Sequence, residues 1–224
     1  MEQTEPPAPG APAGLRERKK QRTREALLRV ALELFTTKGY EQTTIDEIAD
    51  AVEVSQRTFF RYFASKEEAA FAVHDLVESQ FFTALESRPA HESPFEAMRG
   101  AVLASWDSIS LTIEDVVPVD LYMRICQVIE SSPALLAIHL RRSAELEDRI
   151  AHLIAVREGL DVDTDPRPRV AVAAFDGVMR ATGRIWGQGE DLSIASMRAV
   201  TLTHLDQIGP ALAGNWRTKD AHGL

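Results

Sequence analysis

The chain has 224 residues, of which 45% are hydrophobic and 26% are charged, as is usual for soluble globular proteins with a real core. A single cysteine, Cys126, excludes an internal disulfide and favours a reducing compartment, so we expect a cytoplasmic protein. No apolar run reaches the roughly 20 residues that a membrane span needs. Residues 1–14, rich in Pro, Ala and Gly, lack the pattern of a signal peptide and are expected to form a disordered tail.

The net charge of −9 argues against a nucleic-acid partner, but the charge is unevenly distributed. Residues 15–24 contain six basic residues and one acidic residue, a net charge of +5. Residues 15–67 carry 11 basic and 9 acidic residues, whereas residues 68–224 carry 14 and 23, a net charge of −9. The N-terminal part is therefore suited to a polyanion, and the acidic remainder limits indiscriminate binding.

Helix-type spacing of apolar residues recurs along the chain, and no segment shows sustained alternation of strand type. The pattern predicts an all-α protein without internal repeats. The expected helices cover residues 18–38, 45–52, 56–62, 66–88, 94–109, 116–131, 134–158, 168–187 and 193–213.

Helix signals are dense between residues 22 and 71. The first helix ends at Gly39, and Thr44 with Glu47 three residues later forms a capping-box pattern. After a short break, Ser55 is placed to cap a second short helix that begins with Gln56 and Arg57. Two short helices with a tight turn are typical of a helix-turn-helix.

This segment resembles the DNA-binding domain of the TetR family of bacterial repressors, through the motifs "KGY", "TTIDEIA", "VSQRTFFRYF" and "SKEE" in register. The resemblance implies a three-helix DNA-binding domain at residues 15–67 and a helical ligand-binding and dimerisation domain at residues 68–224. It also implies a homodimer on a palindromic double-stranded operator.

The first turn of the second short helix is expected to meet base edges in the major groove through Gln56, Arg57 and Thr58. Phe59 and Phe63, four residues apart, are expected to face the core. The alternative interpretation leaves Gln56 and Arg57 merely solvated.

Contacts with DNA phosphates are expected from side chains at helix starts and in the basic segment. They are Thr44, Tyr62, Lys66, Arg18, Lys20 and Arg24, the last three tracking phosphates or entering the minor groove. The alternatives are a plain helix cap, a surface Tyr, a surface Lys and a solvated charge run.

Two positions depart from the family pattern. Glu53 stands in the turn where a glycine is frequent, which costs on the order of 1 kcal/mol if that residue is left-handed. Phe60 stands where tyrosine is frequent, so one phosphate-bonding hydroxyl is missing.

The remaining helices are expected to supply a ligand pocket and a dimer interface, each weighed against ordinary core packing. The pocket candidates are Trp106, Leu121, Met123, Ile125, Cys126, Ile129, Leu146 and Ile150. The dimer candidates on the last two helices are Phe175, Met179, Met197, Thr201, Leu205 and Ile208. A faint likeness of residues 132–150 to an acyl-CoA-responsive branch implies phosphate contacts from Arg124, Arg141 or Arg142.

The resemblance therefore implies a ligand-responsive repressor that an apolar or amphipathic effector releases from its operator. No cofactor, metal site or catalytic residue is expected, because the six histidines are scattered and Cys126 sits in an apolar helix. Two alternatives stay open: an architectural DNA-binding protein without an effector, and a helical enzyme with a DNA-binding module.

Overall fold

The structure, a computed structural model, describes residues 11–214, except for the side chains of residues 11–13 and 109–112. This part of the chain is all-α, as predicted. The helices are α1 (Ala11–Thr37), α2 (Ile45–Ala51), α3 (Gln56–Phe60), α4 (Lys66–Glu86), α5 (Pro94–Glu114), α6 (Val119–Ser131), α7 (Pro133–Glu158), α8 (Arg167–Gly187), α9 (Ile194–Leu205) and α10 (Ile208–Ala213). None of these helices combines the length and apolar character needed to cross a membrane.

The chain divides into two compact units between Ala72 and Val73, a few residues beyond the predicted boundary after residue 67. Helix α4 contributes residues to both units. The first helix begins earlier than expected, so residues 11–14, predicted as part of the tail, belong to α1. Residues 1–10 of the predicted tail lie outside the described residues.

The first unit is built around apolar side chains of α1, α2 and α3. Leu27, Leu28, Phe35 and Ile48 are fully buried, and α2 packs against both of its neighbours.

The predicted capping box at the start of α2 is present, because the Thr44 hydroxyl accepts from the Glu47 amide and the Glu47 carboxylate accepts from the Thr44 amide.

The turn between α2 and α3 is left-handed at Glu53, with a φ of 56°. The Glu53 amide donates to the Asp50 carbonyl at 3.0 Å and the Val54 amide to the Ala49 carbonyl at 3.0 Å, which closes α2. This is the conformation in which a residue with a Cβ is disfavoured relative to glycine.

Lys66, the first residue of α4, ties that helix to the loop after α1. Its ammonium donates to the carbonyls of Tyr40 at 2.7 Å and Thr43 at 2.9 Å. The same nitrogen lies 4.2 Å from the centroid of the Tyr40 ring, and the Tyr40 hydroxyl donates to Glu67 at 2.7 Å. We call this set, Tyr40, Thr43, Lys66 and Glu67, the Lys66 brace.

The second unit contains α5 to α10 and the later part of α4, with α8 packed against α5, α6, α7 and α9. Serine caps begin α5, α7 and α9, and Gly159 ends α7 at a φ of 66°.

The last predicted helix, 193–213, is broken into α9 and α10 at residues 206–207. Pro210 explains the break, because a proline clashes with the carbonyl four residues earlier in a continuous helix.

Replacing Glu53 by glycine should raise the free energy of unfolding by about 1 kcal/mol, because glycine removes the steric cost of the left-handed turn, partly offset by its greater freedom when unfolded. Chemical denaturation at fixed pH measures this change. Glu53→Ala, which loses the carboxylate and keeps the Cβ, is the matched control and should leave stability unchanged. An equal gain in both variants would assign the effect to charge.

Replacing Lys66 by methionine should lower the free energy of unfolding by about 2 kcal/mol, because two carbonyls lose a charged donor while the apolar stem is kept. The control is Lys38→Met. Lys38 pairs with Glu47 at a largely exposed position, where a salt bridge contributes about 0–1 kcal/mol. Equal destabilisation by the two substitutions would contradict a structural role for the Lys66 brace.

Candidate nucleic-acid interface and ligand cavity

Helix α3 is set in place by its cap and by its buried aromatic side. The Ser55 hydroxyl accepts from the Thr58 amide at 3.2 Å, and the two hydroxyls lie 3.0 Å apart. Phe59 is fully buried and Phe63 is 1% exposed, as predicted from their spacing. One side of this short helix is therefore anchored in the core.

The opposite side of α3 faces outward at the positions singled out for base contacts. Gln56 and Arg57 are exposed, whereas Thr58 is half-buried and its hydroxyl is engaged with Ser55. Phe60, 47% exposed, extends the outward side with an apolar ring.

Arg61 belongs to this surface and was missed by the sequence reasoning. It is exposed, and its guanidinium lies 5.1 Å from the Tyr62 ring centroid, with Nη2 3.4 Å from the Tyr62 hydroxyl. Its spacing of four residues from Arg57 was the available signal, since such pairs share a helix face. Arg61 adds positive charge beside Tyr62, which is half-buried.

Two predicted phosphate ligands are already engaged within the chain. The Thr44 hydroxyl and amide are both within 3.2 Å of the Glu47 carboxylate, whose pKa is lowered to about 2, chiefly by Lys38 and then by the Thr44 amide. A phosphate at Thr44 would meet that negative charge. The Lys66 ammonium is committed to two carbonyls of the Lys66 brace.

The basic segment of residues 15–24 lies within α1 instead of forming an extended arm. A helix is about 10–12 Å wide and the minor groove of B-DNA about 6 Å, so this conformation favours the alternative in which these residues track phosphates, and their contacts with DNA stay a prediction. Arg18 and Lys20 are exposed, with Lys20 3.3 Å from Glu17. Arg24 is half-buried, with its guanidinium 5.1 Å from the Phe63 ring centroid.

The second unit contains a partly open cavity of about 230 Å³. Helices α4 to α9 all contribute to its wall, as expected for a site built inside a helical bundle. Of the predicted lining residues, Trp106, Cys126, Ile129, Leu146 and Ile150 are at the cavity.

Three predicted pocket residues are buried elsewhere. Leu121, Met123 and Ile125 are 0–4% exposed and do not line the cavity. Only one face of α6 meets the cavity, through Tyr122 and Cys126, four residues apart, and their neighbours one turn on. The other three side chains point away from that face and pack in the core.

Polar cavity residues were missed, although each stands within an otherwise apolar helix face. They are His74, Glu78, Ser105, Glu130, His139, Ser143, Asp176, Arg180, Thr182 and Thr201. Asp176 pairs with Arg180, which also bonds Glu147. The Thr201 hydroxyl donates to the Thr182 hydroxyl at 3.2 Å.

Burial sets the protonation of these groups. Desolvation lowers the pKa of His74 to about 3, and it also lowers the pKa of His139, so both imidazoles are neutral at neutral pH. Desolvation raises the pKa of the Glu78 and Glu130 carboxyls. It raises the pKa of the Cys126 thiol to about 12, so this cysteine is a poor nucleophile.

Most predicted dimer residues face the interior of their own subunit. Phe175, Met179, Met197 and Thr201 line the cavity, and Leu205 is 1% exposed. An apolar helical stripe predicts burial without saying whether the neighbour is the same chain or a second copy, so a role of these residues in a dimer interface stays a prediction. Ile208 is half-buried.

Within residues 11–214, no three His, Cys, Asp or Glu side chains are grouped as a metal site would require.

Comparisons with known proteins agree with this architecture. The profile described as "Bacterial regulatory proteins, tetR family" matches residues 27–73, and the one described as "MftR C-terminal domain" matches residues 92–210. The chain is 45% identical over 208 residues to the HTH-type transcriptional regulator TcmR of Streptomyces glaucescens, covering 93% of this chain and 92% of TcmR. The HTH-type transcriptional repressor NicS of Pseudomonas putida is 28% identical to this chain, in a match that covers 42% of this chain and 45% of NicS.

Solved structures show the same fold at low identity. A transcriptional regulator from Aquifex aeolicus VF5 is 16% identical with a TM-score of 0.53, over 84% of this chain and 99% of that one. A TetR-like regulator from Rhodococcus sp. RHA1 is 20% identical with a TM-score of 0.51, over 86% of this chain and 97% of that one. With its helix-turn-helix, its helical second unit and its close relative TcmR, the chain belongs to the TetR family of DNA-binding transcriptional regulators.

Proposed function

We propose that this protein is a homodimeric repressor that binds a palindromic operator and is released by a small effector held in the cavity of its second unit. The observation that carries the proposal is the outward first turn of α3, where Gln56 and Arg57 are exposed beside a buried Phe59. A helix-turn-helix uses this turn to contact base edges.

Base contacts and phosphate contacts divide between neighbouring side chains. Arg57 suits guanine and Gln56 suits adenine, since each side chain can form two hydrogen bonds to that base. Arg61 and Tyr62 are placed to meet phosphates, together with the exposed basic residues Arg18 and Lys20 of α1. Such contacts set orientation and carry little sequence information.

A second copy is expected on the outer face of α8, which we define as Val170, Ala173, Ala174, Gly177, Val178, Ala181 and Ile185. Their spacing places them on one face of the helix, opposite the side that lines the cavity. Val170 is 66% exposed and Ile185 46% exposed, and small residues between them permit close helix approach. We propose this outer face of α8, in place of the inward-facing residues Phe175, Met179, Met197, Thr201 and Leu205, as the dimer interface. Helix α9 packs beside α8.

The effector would act by population shift. A ligand that binds more tightly when the two α3 helices of the dimer are badly spaced for DNA lowers operator affinity by that difference. Helix α4 supports this coupling, because it carries Lys66 at its start and Glu78 and Phe81 in the cavity wall.

An acyl-CoA effector is not supported by the cavity. Its volume of about 230 Å³ is below the roughly 300–1,000 Å³ of drug-sized ligand sites. Arg124, Arg141 and Arg142, expected to meet CoA phosphates, are absent from its wall. Arg124 pairs with Asp120 and Arg142 with Asp75. We therefore take the effector to be smaller and without phosphates.

The operator is found by selecting bound duplexes from a random pool and measuring affinity at several salt concentrations. We expect an inverted repeat with half-sites about 34–36 Å apart and a preference over random duplex of roughly 10³ or more. Arg57→Ala should relax the preference at one position of each half-site, at a cost of about 1–3 kcal/mol.

Arg61→Ala, at the C-terminal cap of the same helix, is the matched comparison: it should weaken all duplexes alike and reduce the salt slope. Arg141→Ala, exposed in the second unit, should change neither quantity. Equal affinity for operator and random duplex would favour an architectural DNA-binding protein, and an unchanged base preference in Arg57→Ala would remove Arg57 from base contact.

Placing a carboxylate at Ile185 should separate the dimer. Ile185→Glu changes a side chain that is 46% exposed in the single subunit, so folding should be little affected while a buried, unpaired charge would oppose association. Light scattering after size exclusion should show the mass of one chain, and operator affinity should fall. Val156→Glu, at a position 78% exposed on α7, is the control and should remain dimeric; a dimeric Ile185→Glu would refute this interface.

A further inference from the structure

The charges in the cavity wall limit which effectors it can hold. Three acidic residues, Glu78, Glu130 and Asp176, line it together with Arg180. Because Arg180 pairs with Asp176 and with Glu147, its charge is already compensated. The cavity therefore offers no available cation to an anionic ligand, and it presents two further carboxyl groups.

Glu78 and Glu130 are both half-buried. Within the described residues Glu78 forms no salt bridge, and the Arg149 guanidinium lies over Phe82, 4.2 Å from the ring centroid. The charges of Arg149 and Arg184 act on Glu78 and Glu130 respectively, but desolvation outweighs both. Glu130 lies 3.9 Å from His139, whose lowered pKa keeps it neutral. Desolvation raises the pKa of both carboxyls, so a positive charge in the cavity would relieve an existing electrostatic cost.

Aromatic rings form much of the remaining wall. Phe81, Trp106, Tyr122, Phe175 and Trp186 reach the cavity from α4, α5, α6 and α8. Rings at several sides of one cavity favour a flat aromatic ligand through stacking and edge contacts. They also attract cations, because the faces of the rings carry negative charge density.

Trp186 provides an independent sign of a polar ligand. Its side chain is at the cavity and the residue is 2% exposed. Its indole N–H has no hydrogen-bond partner among the described residues. A buried donor left unsatisfied is costly, and a ligand oxygen is one means of satisfying it.

We infer that the cavity binds a planar aromatic cation that carries an oxygen acceptor, with its positive charge near Glu78 and Glu130 and its oxygen near Trp186. The inference rests on the proposed function, in which this cavity is the effector site. It names the chemical class of that effector.

Three probes that share a tricyclic ring system and a methoxy oxygen test the inference chiefly by charge. They are a methoxy-substituted 9-aminoacridine, the corresponding acridone and the corresponding acridine carboxylate, which at neutral pH are a cation, a neutral molecule and an anion. Calorimetric titration of the full-length protein without DNA should show the cation binding roughly tenfold more tightly than the neutral probe. The anion should bind most weakly.

Glu78→Gln and Glu130→Gln, singly and together, keep the side-chain size and remove the charge. The double variant should lose the preference for the cation while still binding the neutral acridone. Glu86→Gln, an exposed carboxylate on the same helix as Glu78, should keep the wild-type order. Thermal melts verify folding, and the three probes on the unaltered protein provide a test that needs no substitution.

The inference is overturned if the neutral or anionic probe binds as tightly as the cation, or if none of the probes binds. Release of the selected operator, followed by fluorescence of labelled DNA, is a separate measurement. Binding of the cation without operator release would uphold the ligand class and refute the effector role. Operator release by an anionic compound that binds this cavity would uphold the effector role and refute the ligand class.

Discussion

The proposed DNA-binding surface depends on the burial of two phenylalanine rings. Helix α3 has five residues, so anchoring Phe59 in the core and Phe63 just beyond it leaves little freedom to rotate about its axis. Once those rings are inside, Gln56 and Arg57 face outward, and the Ser55 cap holds the first turn in register. Hydrophobic packing thus orients polar side chains that make no packing contribution themselves.

Several polar side chains around this small core are bonded within the chain. Lys66 and Thr44 stand at helix starts, where a phosphate is electrostatically favoured, yet carbonyls of the Lys66 brace and the Glu47 carboxylate already engage them. Positive charge for the DNA backbone is instead available from exposed residues, Arg61 on the α3 side and Arg18 on α1. A residue type at a helix start therefore does not reveal which partner its side chain will meet.

Helix α8 of the second unit has two different sides. Its inner side supplies Phe175 and Trp186 to the cavity, and its outer face, from Val170 to Ile185, is apolar and partly exposed. A ligand that moves α8 from inside would then act directly on the proposed contact between subunits. The acidic residues in the cavity wall favour a positively charged ligand, because the low polarity around their carboxyl groups makes an unpaired negative charge costly.

The sequence by itself determined the helix-turn-helix, most helix limits, the capping box at Thr44, the cap at Ser55 and the aromatic anchors of α3. These depend on neighbours within a few residues, and local spacing and capping chemistry carry that information. Only the tertiary structure decided that Glu53 is left-handed, that Leu121, Met123 and Ile125 turn away from the cavity, and that Met197 and Thr201 face inward. It also placed Glu78, Glu130 and Trp186 at one cavity, although they lie on three helices far apart in the chain. The physical reason is that an apolar stripe predicts burial but not its neighbour, since the same side chains pack equally well in a core, around a ligand or against a second subunit.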